Sequence, residues 1–363
     1  MNNPVPKYVL LREALLQYIG EHRAGDLMPS YNEITRIHGV TQNTIDRVMM
    51  ELEGSGMVVR QQGRGTFITE WAHSKFVALI QADMSTAGGR LPLYSMLMLN
   101  LQILAGERGL PVLNFFNIPD FDPAGANRHQ QEMFESQMAL GKITGIIMGS
   151  IATPQTEAWF RSRTLPFVSV KFGEPRPGEV SLDMQEVIRQ GVGGLVTGGA
   201  QSVWLVPVTD QRVSEGNLFY GTLAESCRLH GLEAGVGQIL AARDEGGSVH
   251  NYFETYGRAV AETFLASPRV MERRPGVVIL DDLVTKGFLA GLRAGGVSPG
   301  KDVFIATLSF RGSPTLYGEE ERMVRSEFNI SDVASAMLDC LRALAGGPAT
   351  RTFHVSPKIV LPI

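Results

Sequence analysis

Arg64 stands between two glycines in the run Gln61-Gln62-Gly63-Arg64-Gly65. A guanidinium on so compliant a backbone can enter a narrow groove of concentrated negative potential, such as the minor groove of a duplex. Upstream, Thr41-Gln42-Asn43-Thr44 opens a segment whose apolar residues Ile45, Val48, Met49 and Leu52 have the spacing of a helix with one buried face. A helix about 10–12 Å across fits the major groove, where its first residues meet base edges. Amides such as Gln42 and Asn43 can read adenine there through paired hydrogen bonds. The chemistry these side chains suggest is recognition of double-stranded nucleic acid, not bond making.

The elements that must position them are legible in the first seventy residues. Tyr8, Leu11, Ala14, Leu15, Tyr18 and Ile19 share one face of a first helix, with Arg12, Glu13 and Glu21 opposite. After a break at 24–29, Ser30 and Glu33 form a capping box for a second helix ending near His38, and Gly39 supplies the turn. Thr41 is expected to cap the third helix, which Gly54 and Gly56 end. Two β-branched runs, Met57–Arg60 and Thr66–Thr69, flank the glycine-rich tip as a hairpin. The order is that of a winged helix-turn-helix. Free N–H groups at helix starts can hold phosphates. That matters because residues 1–74 carry seven Lys and Arg against eight Asp and Glu, so overall charge gives the module no help.

The segment MPSYNEITRIHGVTQNTIDRVMMELEGSGMVVRQQGRGTFI resembles the DNA-binding domain of the GntR family of bacterial regulators. The matching positions are Pro29-Ser30, Glu33, Gly39-Val40, Thr41, Thr44, Leu52, Gly56, Arg60 and Gly63 to Phe67. The resemblance implies that operator DNA is the partner and that Ser30, Asn32, Thr41, Gln42, Asn43, Thr44, Gly63, Arg64 and Gly65 face it. Three positions depart from the family pattern. Asn32 and Gln42 stand where arginines are usual, and Asp46 stands where an arginine often touches a phosphate. A carboxylate beside a DNA backbone repels it, so Arg47 is expected to take that phosphate.

The whole chain of 363 residues is 44% hydrophobic and 19% charged, with net charge -4, a pI of about 6.0 and a mean hydropathy of +0.02. That exceeds one core, since single cores rarely pass roughly 250–300 residues. The acidic balance argues against a protein that coats nucleic acid. No signal peptide and no run of about 18 apolar residues is evident, so neither secretion nor a membrane partner is expected, and the chain reads as cytoplasmic. Two cysteines, Cys227 and Cys340, are too few for a disulfide framework or a thiolate zinc site.

After a polar connector at 70–75, apolar strand-like runs alternate with amphipathic stretches. The strands are expected at 76–80, 111–115, 143–148, 167–170, 203–206, 276–280 and 303–306. Helices are expected at 93–107, 185–196, 218–230, 252–265 and 284–294. This is the pattern of parallel sheets covered on both faces. So many units exceed one compact sheet, which predicts two similar subdomains with a ligand between their strand ends. No enzyme motif is complete. Gly191 to Val196 lacks the last glycine of a dinucleotide fingerprint, Gly141-Lys142-Ile143 is no P-loop, and the seven histidines lack metal-ligand spacing. No catalytic residue, metal or cofactor is implied.

Residues 76–363 resemble the effector domain of the lactose-repressor (LacI) family, which shares the type I periplasmic-binding-protein-like fold. The carrying segments are Thr144 to Met148, Leu165 to Val170, Ser181-Leu182-Asp183, Val278 to Asp282 with Gly287, and Pro299 to Val303. The resemblance implies an α/β domain with the chain crossing between subdomains near 171, 309 and 328, and a sugar or sugar-derived effector. GntR-type heads joined to this domain resemble arabinose-responsive repressors. Aligned pocket positions are Lys171, Asn217, Asp281 and Ser309, each departing from the family's usual residue, and Tyr94 is placed to stack on a ring. Asp282 reads as the helix cap. Lys171 with Asp281 suits a ligand bearing an acidic or amino group; alternatively they pair with each other around a neutral sugar, or Lys171 is a solvated rim residue. The expected protein is a dimeric, ligand-responsive repressor. The alternative is a small-molecule-binding module whose head serves protein assembly.

Overall fold

The computed structural model describes residues 6–81, 91–116, 128–149, 154–172, 176–208, 218–232, 239–241, 252–267, 274–347 and 350–362. Contacts divide the chain into a first unit, residues 1–76 with 132–144, and a second unit made of the rest.

In the first unit, helix α1 (Lys7–Glu21) buries Leu11, Leu15 and Ile19 at intervals of one turn. Helix α2 (Tyr31–His38) starts at Ser30 with the expected capping box complete in both directions, and Gly39 ends it with φ +61°. Helix α3 (Gln42–Gly54) buries Ile45, Val48, Met49 and Leu52. These residues form one core with Met28, Ile34, Val58 and Ile68. Strands β1 (Val58–Gln61) and β2 (Gly65–Ile68) pair antiparallel as the hairpin. Residues 25–28 lie along β2, with Met28 N–H donating to the Thr66 carbonyl at 2.7 Å.

The connector is not wholly extended. Residues 70–73 form a one-turn helix, α4 (Glu70–His73), because the Thr69 hydroxyl accepts from the Ala72 N–H. Trp71 on that turn lies beneath Gly56, where a Cβ would stand 3.2 Å from the ring. Lys142 packs on the same indole. It is 1% exposed, its Nζ donates to the Trp71 carbonyl, and it sits 4.3 Å from the ring centroid. Burial, with Lys75 adding repulsion, pushes its ammonium down to about 8 from 10.5. Between those values the unfolded chain holds the proton and the folded chain does not, so stability rises with pH across the window and the cost is fully present below it. Lys142→Met keeps the length and removes the charge. It is expected to raise stability at pH 7 by on the order of 1–3 kcal/mol and to flatten the rise above pH ~8, read by denaturant melts at both ends of the window.

The second unit is built on two mainly parallel sheets. The first has strands β3 (Phe76–Gln81), β4 (Val112–Phe116), β5 (Ile143–Met148), β6 (Phe167–Phe172), β7 (Val180–Leu182) and β12 (Phe353–Val355) in the order β12-β7-β6-β5-β3-β4. The second has β8 (Ser202–Val206), β9 (Pro275–Ile279), β10 (Phe304–Phe310), β11 (Val324–Phe328) and β13 (Lys358–Val360) in the order β13-β11-β10-β9-β8, with only β13 antiparallel. Helices α5 (Leu91–Glu107), α6 (Arg128–Ala139, most of which belongs to the first unit), α7 (Pro154–Arg161), α8 (Met184–Thr197), α9 (Leu218–Leu229), α10 (Tyr252–Leu265), α11 (Asp282–Ala294) and α12 (Ile330–Ala345) fall between the strands in chain order.

The passages between sheets differ from those expected near 171 and 309. Lys171 lies inside β6, paired with Ser181 of β7, so the chain stays in the first sheet until 182. Ser309 lies inside β10, and the chain goes on to β11 of the same sheet. It leaves the second sheet after Phe328, through α12, and returns between β12 and β13. Helix α8 belongs to the second sheet, against which Gly191 and Gly194 allow close approach. A Cβ on Gly194 would lie 2.7 Å from Val324.

Candidate DNA-binding face and effector pocket

On the head, Ser30, Asn32, Thr41, Gln42, Asn43, Arg47, Gly63, Arg64 and Gly65 are exposed and Thr44 is half-buried. Ser30 is committed to its cap, with its hydroxyl 2.7 Å from Glu33 Oε2. Those hydrogen bonds hold the Glu33 carboxyl below its ordinary range. Thr41 corrects an expectation. It occupies the N-cap position of α3 but makes no side-chain cap, because its hydroxyl pairs with that of Thr44 at 3.0 Å. Two hydroxyls three residues apart satisfy each other, and their shared edge stays on the surface.

The tip of the hairpin is fixed by its glycines. Gly63 has φ +73° and Gly65 φ +117°, and Arg64 N–H closes the turn onto the Gln61 carbonyl at 3.0 Å. A Cβ on Gly65 would meet the end of the exposed Leu27 side chain at 2.6 Å, and the left-handed φ of Gly65 is what favours glycine there. The Arg64 guanidinium sits 5.9 Å from the Phe67 ring.

Arg47, expected to take a phosphate, is exposed but stacks on the Tyr8 ring of α1 at 4.4 Å. Tyr8 donates to Glu51, which also accepts from Arg12 Nε at 2.6 Å. Burial alone would raise the Glu51 carboxyl; the hydrogen bonds from Tyr8 and Arg12 outweigh it and hold the group below its ordinary value. Asp46 is half-buried and lies near Tyr31, whose phenol burial raises and the carboxylate raises further.

On the second unit, the candidate effector residues do not all converge. Asn217 lies outside the described residues. Tyr94 is buried in α5. Lys171 does not pair with Asp281; it pairs with Glu157 of α7, which also accepts from Arg161 Nε at 2.8 Å. Burial would raise the Glu157 carboxyl, but the contacts from Lys171 and Arg161 hold it low. The pairing joins residues of α7 and β6, which sequence reading had not linked.

Asp281, not Asp282, caps α11. Its Oδ1 accepts from the Leu283 and Val284 N–H groups, each at 3.0 Å, and the residue is 2% exposed. The reason is that the chain turns out of β9 two residues before the helix, placing Asp281 in extended backbone and Asp282 in the first turn. Asp281→Ala is expected to cost about 1–2 kcal/mol, with Asp281→Asn retaining most of it, measured by chemical unfolding.

Ser309 is the candidate that does face a pocket. A cavity of about 240 Å³ is lined by Ser309, Asp282, Ser313, Glu320, Arg325 and Glu327 together with apolar neighbours. Asp282 follows β9, Ser309 lies near the end of β10, and Glu327 is its register partner near the end of β11. The cavity therefore opens at the carboxyl ends of parallel strands, the end where such sheets bind ligands. The Ser309 Oγ is buried with no hydrogen-bond partner among the described residues, as is Arg325 Nε. Glu327 is held by Arg311 at 3.3 Å and Arg325 at 3.4 Å. Donors and carboxylate acceptors around one small volume suit a polyhydroxylated molecule. A larger groove, about 600 Å³, opens instead at the amino ends of β10 and β11, beside Lys301, Phe304 and Val324. Sequence reading missed Glu320 and Arg325, which carry no motif.

The two cysteines are buried, and burial pushes their thiols up to about 11 for Cys227 and about 12 for Cys340. No helix among the described residues is long and apolar enough to cross a membrane.

Comparison with known proteins agrees with both halves of this description. Residues 8–68 match the bacterial regulatory proteins of the gntR family. The chain is 38% identical over 69 residues to the histidine utilization repressor of Klebsiella aerogenes, covering 18% of this chain and 29% of that protein. It thus spans less than a third of the length of such curated relatives. Among solved structures, a regulatory protein of the LacI family from Chloroflexus aggregans aligns with a TM-score of 0.57 and 20% identity, over 79% of this chain and 97% of that one. The transcriptional regulator CelR in complex with cellobiose aligns with a TM-score of 0.58 and 16% identity, over 99% of each chain. Residues 8–68 are therefore a GntR-family helix-turn-helix domain, joined in this chain to an α/β domain with the fold of LacI-type transcription regulators.

Proposed function

We propose that this chain is a ligand-responsive, sequence-specific DNA-binding transcription regulator, a repressor that a sugar or sugar-derived effector releases in the cytoplasm. The observation that carries the reading is the exposed set Thr41, Gln42, Asn43 and Arg64 on a winged helix-turn-helix. In this reading the start of α3 reads bases, and Arg64 enters the adjoining minor groove. The relative from Klebsiella is itself a repressor, and a solved structure of the same fold holds cellobiose, which supports the sense of regulation and the ligand class.

The effector enters the cavity at Ser309, whose hydroxyl gains a partner there, with Asp282 and Glu320 accepting from ligand hydroxyls. A ligand shifts DNA affinity only as far as it prefers one conformation over another. Two heads of a homodimer meeting two half-sites multiply effective concentration and match a two-fold operator.

Titration of the full chain with a duplex from its own promoter region, at low salt, tests the head. A sequence-dependent complex is expected, and its absence would leave the head an assembly module. Calorimetry with mono- and disaccharides tests the other half; heat from a different chemical class alone would overturn the sugar assignment.

A further inference from the structure

The wing side of the head holds a side-chain relay that no sequence motif announces. Arg60 on β1 donates from Nη2 to the Tyr31 hydroxyl at 3.2 Å. Tyr31, the first residue of α2, also lies near Asp46 on α3, and burial and then that carboxylate raise its phenol. The Arg60 Nε lies 4.0 Å from Glu53, and the side chain keeps 49% of its exposure. Arg60 shares a groove of about 500 Å³ with Ser30, Gln61, Gln62, Gly63 and Thr66. The relay thus ties α2, α3 and the wing, three elements that one duplex would have to touch together.

Its electrostatics resolve the problem Asp46 poses. A carboxylate on a helix that approaches DNA repels phosphate. Here the carboxylate lies near the Tyr31 hydroxyl, and the Arg60 guanidinium that donates to the same hydroxyl places a cation beside it. With Nε near one carboxylate and Nη2 on a hydroxyl, the guanidinium plane is set before any partner arrives, so less rotamer freedom is lost on binding.

We propose that Arg60 is a further DNA-backbone contact of the head, placed against a phosphate between the start of α2 and the wing, with Tyr31 as its positioning residue. The inference rests on the head's DNA-binding role proposed above. The occupant is a phosphodiester of duplex DNA, because the groove opens between the start of α2 and the wing and its lining carries one charge, that of Arg60.

The test uses the full chain, a promoter duplex chosen by footprinting, and fluorescence anisotropy over a range of KCl. Arg60→Ala is expected to weaken binding about tenfold and to lower the slope of log affinity against log salt by about one. Tyr31→Phe keeps the ring and loses the hydroxyl; a smaller loss of about threefold is expected, and it should vanish in the Arg60→Ala background. A merely structural tyrosine would give the same loss in both backgrounds. Melting curves check folding, and Arg60→Gln, which keeps a donor to Tyr31, replaces Arg60→Ala if that variant melts early. Wild-type affinity and slope in the Arg60 variants, or additive effects of Tyr31→Phe, overturn the proposal while leaving the head a DNA-binding module. If the unaltered chain forms no sequence-dependent complex, the head reading and this inference fall together.

Discussion

Arg64→Ala is expected to weaken operator binding by roughly 10- to 100-fold per head at low ionic strength, while the chain melts as before. The residue is exposed at the hairpin tip, where Gly63 and Gly65 both have positive φ, so the turn survives truncation of the side chain between them. Its guanidinium lies 5.9 Å from the Phe67 ring, too distant for much folding energy. Loss of a guanidinium from a narrow groove removes about 1–3 kcal/mol of contact, and loss of one phosphate-neutralising charge flattens the salt dependence by about one unit. Arg64→Lys separates these effects, since it keeps the charge but not the planar fork. Anisotropy across salt concentrations reads both quantities. An unchanged affinity would remove the wing from the interface. Gly65→Val is a contrasting control, because the new Cβ falls within 2.6 Å of Leu27 and the backbone has φ +117°; it should disturb the wing itself.

Gly287→Ala is expected to destabilise the second unit by about 3 kcal/mol or more, although alanine for glycine inside a helix ordinarily stabilises by up to ~1 kcal/mol. Helices α10 and α11 touch backbone to backbone. A Cβ on Gly287 would stand 2.0 Å from the Glu254 carbonyl oxygen, and one on Gly257 would stand 2.0 Å from that of Val284. One turn along, a Cβ on Gly291 would meet Ala261 at 2.5 Å. Relief requires the helices to part, which opens the core where Val260, Phe264, Val284 and Phe288 interlock. The steric term exceeds the propensity gain, so the sign reverses. Gly221, exposed in α9 with nothing within 4 Å of its would-be Cβ, supplies the comparison: Gly221→Ala should raise the melting temperature slightly. Calorimetry of both variants reads the difference. Equal and small shifts would mean that the helices tolerate separation.

The second of these depends on a contact invisible in the primary structure. Gly287 was noticed as part of a family-like segment, yet nothing in its local sequence says that a carbonyl from α10 lies against it. By contrast, the local rules held wherever the partner was near in the chain. Ser30 and Glu33 close a reciprocal capping box, Gly39 takes the left-handed turn, and the runs near 76–80, 143–148 and 203–206 become strands. Strands β7, β12 and β13 passed unrecognised because each is three residues long, too short for alternation to be defined.

The amino-acid sequence alone determined the two-part organisation, the winged helix-turn-helix with Arg64 at its tip, and the alternating strands and helices of the larger domain. Those features follow from periodicity, caps and turn residues, whose physics spans a few positions. Tertiary structure alone decided which charges meet. Lys171 goes to Glu157, Asp281 is spent on a helix cap, Arg60 donates to Tyr31, and Lys142 is buried against Trp71. A long polar side chain finds its partner by distance and burial, and those are fixed only when separate elements pack together.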